Sequence, residues 1–115
     1  MLESQVDLKA MIGENWAVFR EHMPEVAEAY DPLPQEAYKD GSVSGKHKRL
    51  MALVGGLVRG CRGCILYQTE NALNLGATVE EILETCAVAV SLGGTMAAGE
   101  SARVIAYLRE KELIS

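Results

Sequence analysis

The chain has 115 residues, of which 49% are hydrophobic and only 5% aromatic, and it carries a net charge of −5 at pH 7. Such a length suits one domain, 1–115, with a core of its own, and the acidic balance excludes a nucleic-acid partner, which needs a basic face. No run of about 18 apolar residues is free of charge and no basic leader follows Met1, so neither a membrane span nor a signal peptide is expected, and a cytoplasmic location follows.

The apolar content is Ala, Val, Leu, Ile and Met, the residues that fill helix contacts, and no alternating strand pattern occurs. Leu8, Met11, Ile12, Trp16 and Phe19 recur at helical spacing and predict an amphipathic helix over 3–22, which Pro24 stops. Pro24 suits the first turn of a short helix over 24–30, and a further turn runs from Pro34 to Tyr38. Lys39 to Gly45 is the loop richest in breakers.

Ser44 caps a helix running to Arg59, apolar around most of its surface and therefore central. Gly60 breaks it. The next helix, over 61–75, starts at Cys61 and Cys64, places both on one stripe with Gln68, Asn71 and Leu75, and stops at Gly76. Thr78 and Glu81 form a capping box, and Val79, Ile82, Leu83, Cys86 and Val90 continue the stripe to Gly93-Gly94. A last helix over 96–112 completes an all-α bundle of about six helices. Its aliphatic surplus on so short a chain predicts a homo-oligomer, dimer-based or a trimer or hexamer.

The chemistry sits in Cys61-Arg62-Gly63-Cys64. On a helix, positions three apart lie roughly 5–6 Å apart at Cβ, near disulfide geometry. A helix N-terminus favours the thiolate, and Arg49, Arg59 and Arg62 push the same way. Residues 46–64 carry five basic side chains and no acid, whereas both flanking segments are net acidic. Such a pair can reduce a peroxide or a disulfide and close an internal bond, with no metal or organic cofactor. A zinc site needs two more ligands, for which only His22, His47 and Cys86 remain, unless subunits each donate a pair. Cys86 lies on an apolar stripe and reads as core, His22 as a helix-end residue, His47 as solvated, and Glu70 and Glu100 as surface acids. Tyr67, three residues after Cys64, either donates to a ligand or packs as an aromatic core contact.

From Lys46 to Arg109, the motifs Lys-His-Lys-Arg-Leu-Met-Ala-Leu, Cys-Arg-Gly-Cys-Ile-Leu-Tyr-Gln and Gly-Ala-Thr-Val-Glu-Glu-Ile-Leu-Glu occur in that order. In this the chain resembles the carboxymuconolactone decarboxylase superfamily, and within it the AhpD-like alkylhydroperoxidase branch. The resemblance implies an oligomeric helical fold and a peroxidase or disulfide oxidoreductase, with a thiol protein as electron donor. It also implies that Cys64 attacks and Cys61 resolves, whereas the residues alone leave the order open, Cys61 being nearer the helix start and expected to be the more exposed. Peroxidases of that branch place a histidine four residues after the second cysteine and a glutamate twelve before the first. Gln68 and Arg49 occupy those positions, so the proton relay is absent. Arg49 is then expected to stabilise a thiolate, with Gln68 as a neutral hydrogen-bonding contact. The alternative is a non-catalytic oligomer that binds a small ligand or a metal.

Overall fold

The computed structural model describes residues 3–115, and among them the regular structure is helical throughout. The helices are α1 (Gln5–His22), α2 (Pro24–Tyr30), α3 (Pro32–Ala37), α4 (Gly45–Arg59), α5 (Arg62–Asn74) and α6 (Val79–Glu110).

Local signals account for most boundaries. Ser44 Oγ accepts the His47 N–H at 3.1 Å and opens α4, and Gly60, at φ 71°, closes it in the left-handed conformation that costs glycine least. The Thr78–Glu81 capping box is complete, with Glu81 N–H donating to Thr78 Oγ1 and Thr78 N–H to Glu81 Oε1. The two helices expected on either side of Gly93-Gly94 are both present as the halves of α6, separated at Gly94, whose φ 65° and ψ −143° are not helical. Gly93 lies against Val58 of α4, and an added Cβ there would stand only 2.8 Å from the Ala97 Cβ, across the break. The glycine pair thus serves as both a break and a close approach.

α4 is the central helix and packs on both α5 and α6. Leu53 and Leu57 of α4, Ile65 and Ala72 of α5, and Ile82, Ala89, Val104 and Leu108 of α6 form the buried core, joined by Cys86. Burial pushes the Cys86 thiol up, which keeps it protonated, as its place on an apolar stripe implied. No 18-residue run in α6 is free of charge, yet α6 contains an 18-residue window of mean hydropathy 1.4, broken at Gly94. It is the one helix among the described residues long and apolar enough to cross a membrane. One face of α6 is nevertheless committed to the core just described.

The apolar stripe of α1 does not enter that core. Met11, Trp16 and Phe19 stay exposed, and the buried residue of α1 is Gln5. α1 is held at its start by Glu110, whose carboxylate accepts from Gln5 N–H at 2.7 Å, from Val6 N–H at 3.3 Å and from the Ser4 hydroxyl. At its end, Arg20 forks onto both carboxylate oxygens of Asp31 at 2.7 and 2.6 Å. Glu70, read from the sequence as an ordinary surface acid, is instead half-buried between α1 and α6. It pairs with Lys9, which holds its carboxyl below the ordinary range, and with Lys111 at 3.7 Å, and it lies against the buried Tyr107.

Candidate redox site

The left-handed turn at Gly60 delivers Cys61 as the N-cap of α5, at φ −89° and ψ 99°. Its sulfur accepts the Cys64 N–H at 3.2 Å, filling the place that a serine hydroxyl takes at an ordinary cap. Cys61 and Cys64 are joined in a disulfide with their Cα atoms 5.2 Å apart, within the span expected from their spacing. The site depends on Gly56 as well: an added Cβ there would lie 3.2 Å from Cys64 Cβ and 3.3 Å from Ile65 N, so its absence lets α4 approach the cysteine turn.

The two cysteine residues differ in exposure. Cys64 is exposed and Cys61 half-buried, which corrects the expectation that proximity to the helix start makes Cys61 the more accessible. As the cap, Cys61 turns its side chain back over the first turn, where its sulfur meets the Cys64 N–H.

Arg49 and Gln68, on different helices, come together: the Arg49 guanidinium donates to Gln68 Oε1 at 3.0 Å. Gln68 is buried and donates onward to the Tyr38 hydroxyl at 3.3 Å. Arg49 also lies over the Tyr38 ring at 3.8 Å and near the Tyr67 ring at 5.6 Å. Tyr67 is therefore an exposed partner of a cation and not an aromatic core contact. Nothing in the breaker-rich sequence around Tyr38 marked it as a site residue, because its role depends on where α3 lands against α4 and α5.

These groups line one cavity of about 590 Å³. Cys61, Cys64, Arg49, Gln68, Tyr38 and Tyr67 form one side of it, and Lys9, Ile12 and Trp16 of α1, with Tyr30 and Pro34, form the other. That second group comes from residues 9–34, in α1, α2 and α3. Of the three arginines expected near the thiols, Arg49 shares the cavity, Arg62 is exposed and paired with Glu3 at 3.1 Å, and Arg59 does not line the cavity. His22, His47 and Cys86 do not line it either, and His47 Nδ1 faces Ser44 Oγ at 3.0 Å. Among the described residues, no three His, Cys, Asp or Glu side chains gather as a metal-ligand set.

Comparison with known proteins agrees with this architecture. The model of the carboxymuconolactone decarboxylase family matches residues 24–107. The crystal structure of lpg0406, a carboxymuconolactone decarboxylase family protein from Legionella pneumophila, is similar with a TM-score of 0.88. It is 32% identical, and the match covers 95% of this chain and 97% of that one. A family protein from Thermotoga maritima, for which a part in antioxidative response has been suggested, is 30% identical with a TM-score of 0.70, covering 75% of this chain and 89% of its own. An uncharacterized protein of Cupriavidus necator is 29% identical over 104 residues, 88% of this chain and 92% of its own. With a family match across five of the six helices and a shared helical architecture, the chain belongs to the carboxymuconolactone decarboxylase family.

Proposed function

We propose that this protein is a dithiol oxidoreductase of the AhpD-like type, which reduces hydroperoxides or partner disulfides through the Cys61–Cys64 pair. The observation that supports it is the bonded cysteine pair at the N-terminus of α5, opening onto a cavity beside Arg49. In the reduced form, a Cys64 thiolate attacks a peroxide oxygen, breaking the O–O bond and forming a sulfenic acid while the alkoxide takes a proton from solvent. Cys61 then attacks the sulfenic sulfur, expelling water and closing the disulfide. One hydroperoxide and two thiols give one alcohol, one water and one disulfide. A donor thiol attacks the Cys64 sulfur, with Cys61 leaving as a thiolate that the Cys64 N–H stabilises, and a second donor thiol then attacks the donor sulfur of that mixed disulfide, releasing Cys64 as a thiol and leaving the donor oxidised.

The Arg49–Gln68 contact favours a partner disulfide as the oxidant over a peroxide. An alkoxide needs a proton as it leaves, and neither an amide nor a guanidinium supplies a relay for it. A thiolate leaving group has no such need. The test is to treat fully reduced protein, in a Cys86→Ser background and without oxygen, with one equivalent of an organic hydroperoxide and, separately, of a small disulfide. Peptide mass spectrometry then follows thiol state over time. We expect a Cys61–Cys64 disulfide to form faster than a free thiol reacts at the same pH. Reaction with neither oxidant above that rate would reject the dithiol reading, and reaction with the disulfide alone would confine it to exchange.

The exposed Met51, Leu92 and Leu33, each more than 60% accessible, further support assembly into a homo-oligomer. Sedimentation analysis is expected to show a mass above that of one chain, lowered by Leu92→Asp; a monomeric wild type would rule the assembly out.

A further inference from the structure

We propose that the cavity beside the cysteine pair seats an amphiphilic monocarboxylate, its headgroup on the Arg49 guanidinium and its apolar body against Ile12, Trp16 and Pro34. The inference deepens the dithiol reading and rests on it for treating this cavity as the substrate site.

Charge supplies the first argument. The charged side chains lining the cavity are Lys9 and Arg49, and no carboxylate joins them. Lys9 is already matched by Glu70. Arg49 has no carboxylate within ion-pair distance among the described residues, and its protein contacts are a neutral amide oxygen and two aromatic faces. A stacked tyrosine orients a guanidinium without cancelling its charge, and a single bond to Gln68 leaves most of its five N–H donors unused. A half-buried arginine held flat by an aromatic face, with donors to spare, matches the planar two-oxygen geometry of a carboxylate.

Shape supplies the second. A volume of about 590 Å³ falls within the range of small-molecule sites, and α1 contributes the apolar Ile12 and Trp16 to it beside the already paired Lys9, while α4 and α5 contribute the polar Arg49 and Gln68. α1 turns part of its hydrophobic stripe onto this space and not into the core. A ligand with one anionic end and one aliphatic end satisfies both walls, and a dianion would not, since only one cation is uncompensated.

Trp16 is the sole tryptophan and lines the cavity, so its fluorescence reports occupancy directly. Oxidised wild-type protein is titrated with octanoate and with octanol. Octanoate is expected to bind at least about tenfold more tightly than octanol, the preference that a charge-assisted hydrogen bond gives. The preference is expected to shrink as salt is raised, to vanish in Arg49→Gln and to return in part in Arg49→Lys. Equal affinity for the two ligands in wild type overturns the proposal, and because that comparison needs no variant, misfolding of a substituted chain does not obscure it. Setting this titration beside the oxidation test above, both made on protein that keeps Cys61 and Cys64, separates the two ideas. Octanoate binding that persists beside failed dithiol oxidation rejects the redox reading alone, and successful oxidation without carboxylate preference rejects this inference alone.

Discussion

Cys64→Ser is expected to abolish both disulfide formation and turnover, whereas Cys61→Ser is expected to leave one stoichiometric reaction and then stop. The asymmetry follows from the geometry of the capped turn. Cys64 is exposed, so it meets the oxidant first; Cys61 is half-buried, with its sulfur facing the Cys64 N–H. Without Cys64 the remaining sulfur is shielded and has no partner. Without Cys61 the attacking sulfur still reacts, but the product waits as a sulfenic acid or a mixed disulfide with nothing to resolve it. Mass spectrometry of each variant after one equivalent of oxidant, in the Cys86→Ser background, distinguishes these products. If Cys61→Ser is inert while Cys64→Ser accumulates the oxidised adduct, the order of attack is reversed and exposure is not what selects the nucleophile.

Leu57→Ala is expected to cost about 2–5 kcal/mol of stability, the range for truncating a fully buried leucine whose neighbours cannot collapse into the space. Leu57 is completely inaccessible and lies in the cluster where α4 meets α5 and α6. A loss of that size lowers Tm by roughly 10 °C or more for a chain of this length. The measurement is thermal unfolding at fixed protein concentration, because any assembly adds a concentration-dependent contribution. The expected consequence extends to the site. α4 carries Arg49 and, through Gly56, the surface on which the cysteine turn rests, so a loosened α4 should also reduce the rate of dithiol oxidation at temperatures well below unfolding. A Tm shift under about 3 °C would mean that the interior repacks around the lost methyl groups.

Features that depend on near neighbours in the chain are legible in the sequence. The Ser44 cap, the Gly60 stop and the Thr78–Glu81 box are satisfied within four residues, so their chemistry is written locally. The same holds for Cys61 and Cys64, whose separation is set by three residues of helix. The break at Gly93-Gly94 is legible as well, since the φ of 65° at Gly94 is one that glycine adopts without a Cβ penalty. That both halves of α6 pack on one common core is not legible in this way.

The amino-acid sequence by itself determined the helical class, the central place of α4, the cysteine pair and its position at a helix start, because periodicity and capping are local. Tertiary structure alone decided that Arg49 meets Gln68, that Tyr38 stacks on Arg49, that Cys64 is the more exposed cysteine, and that Ile12 and Trp16 of α1 line a cavity and not the core. The physical reason is one of distance along the chain. Arg49 and Gln68 are nineteen residues apart and Gln68 and Tyr38 thirty. Contacts of that span follow from how whole helices pack, which no local pattern encodes.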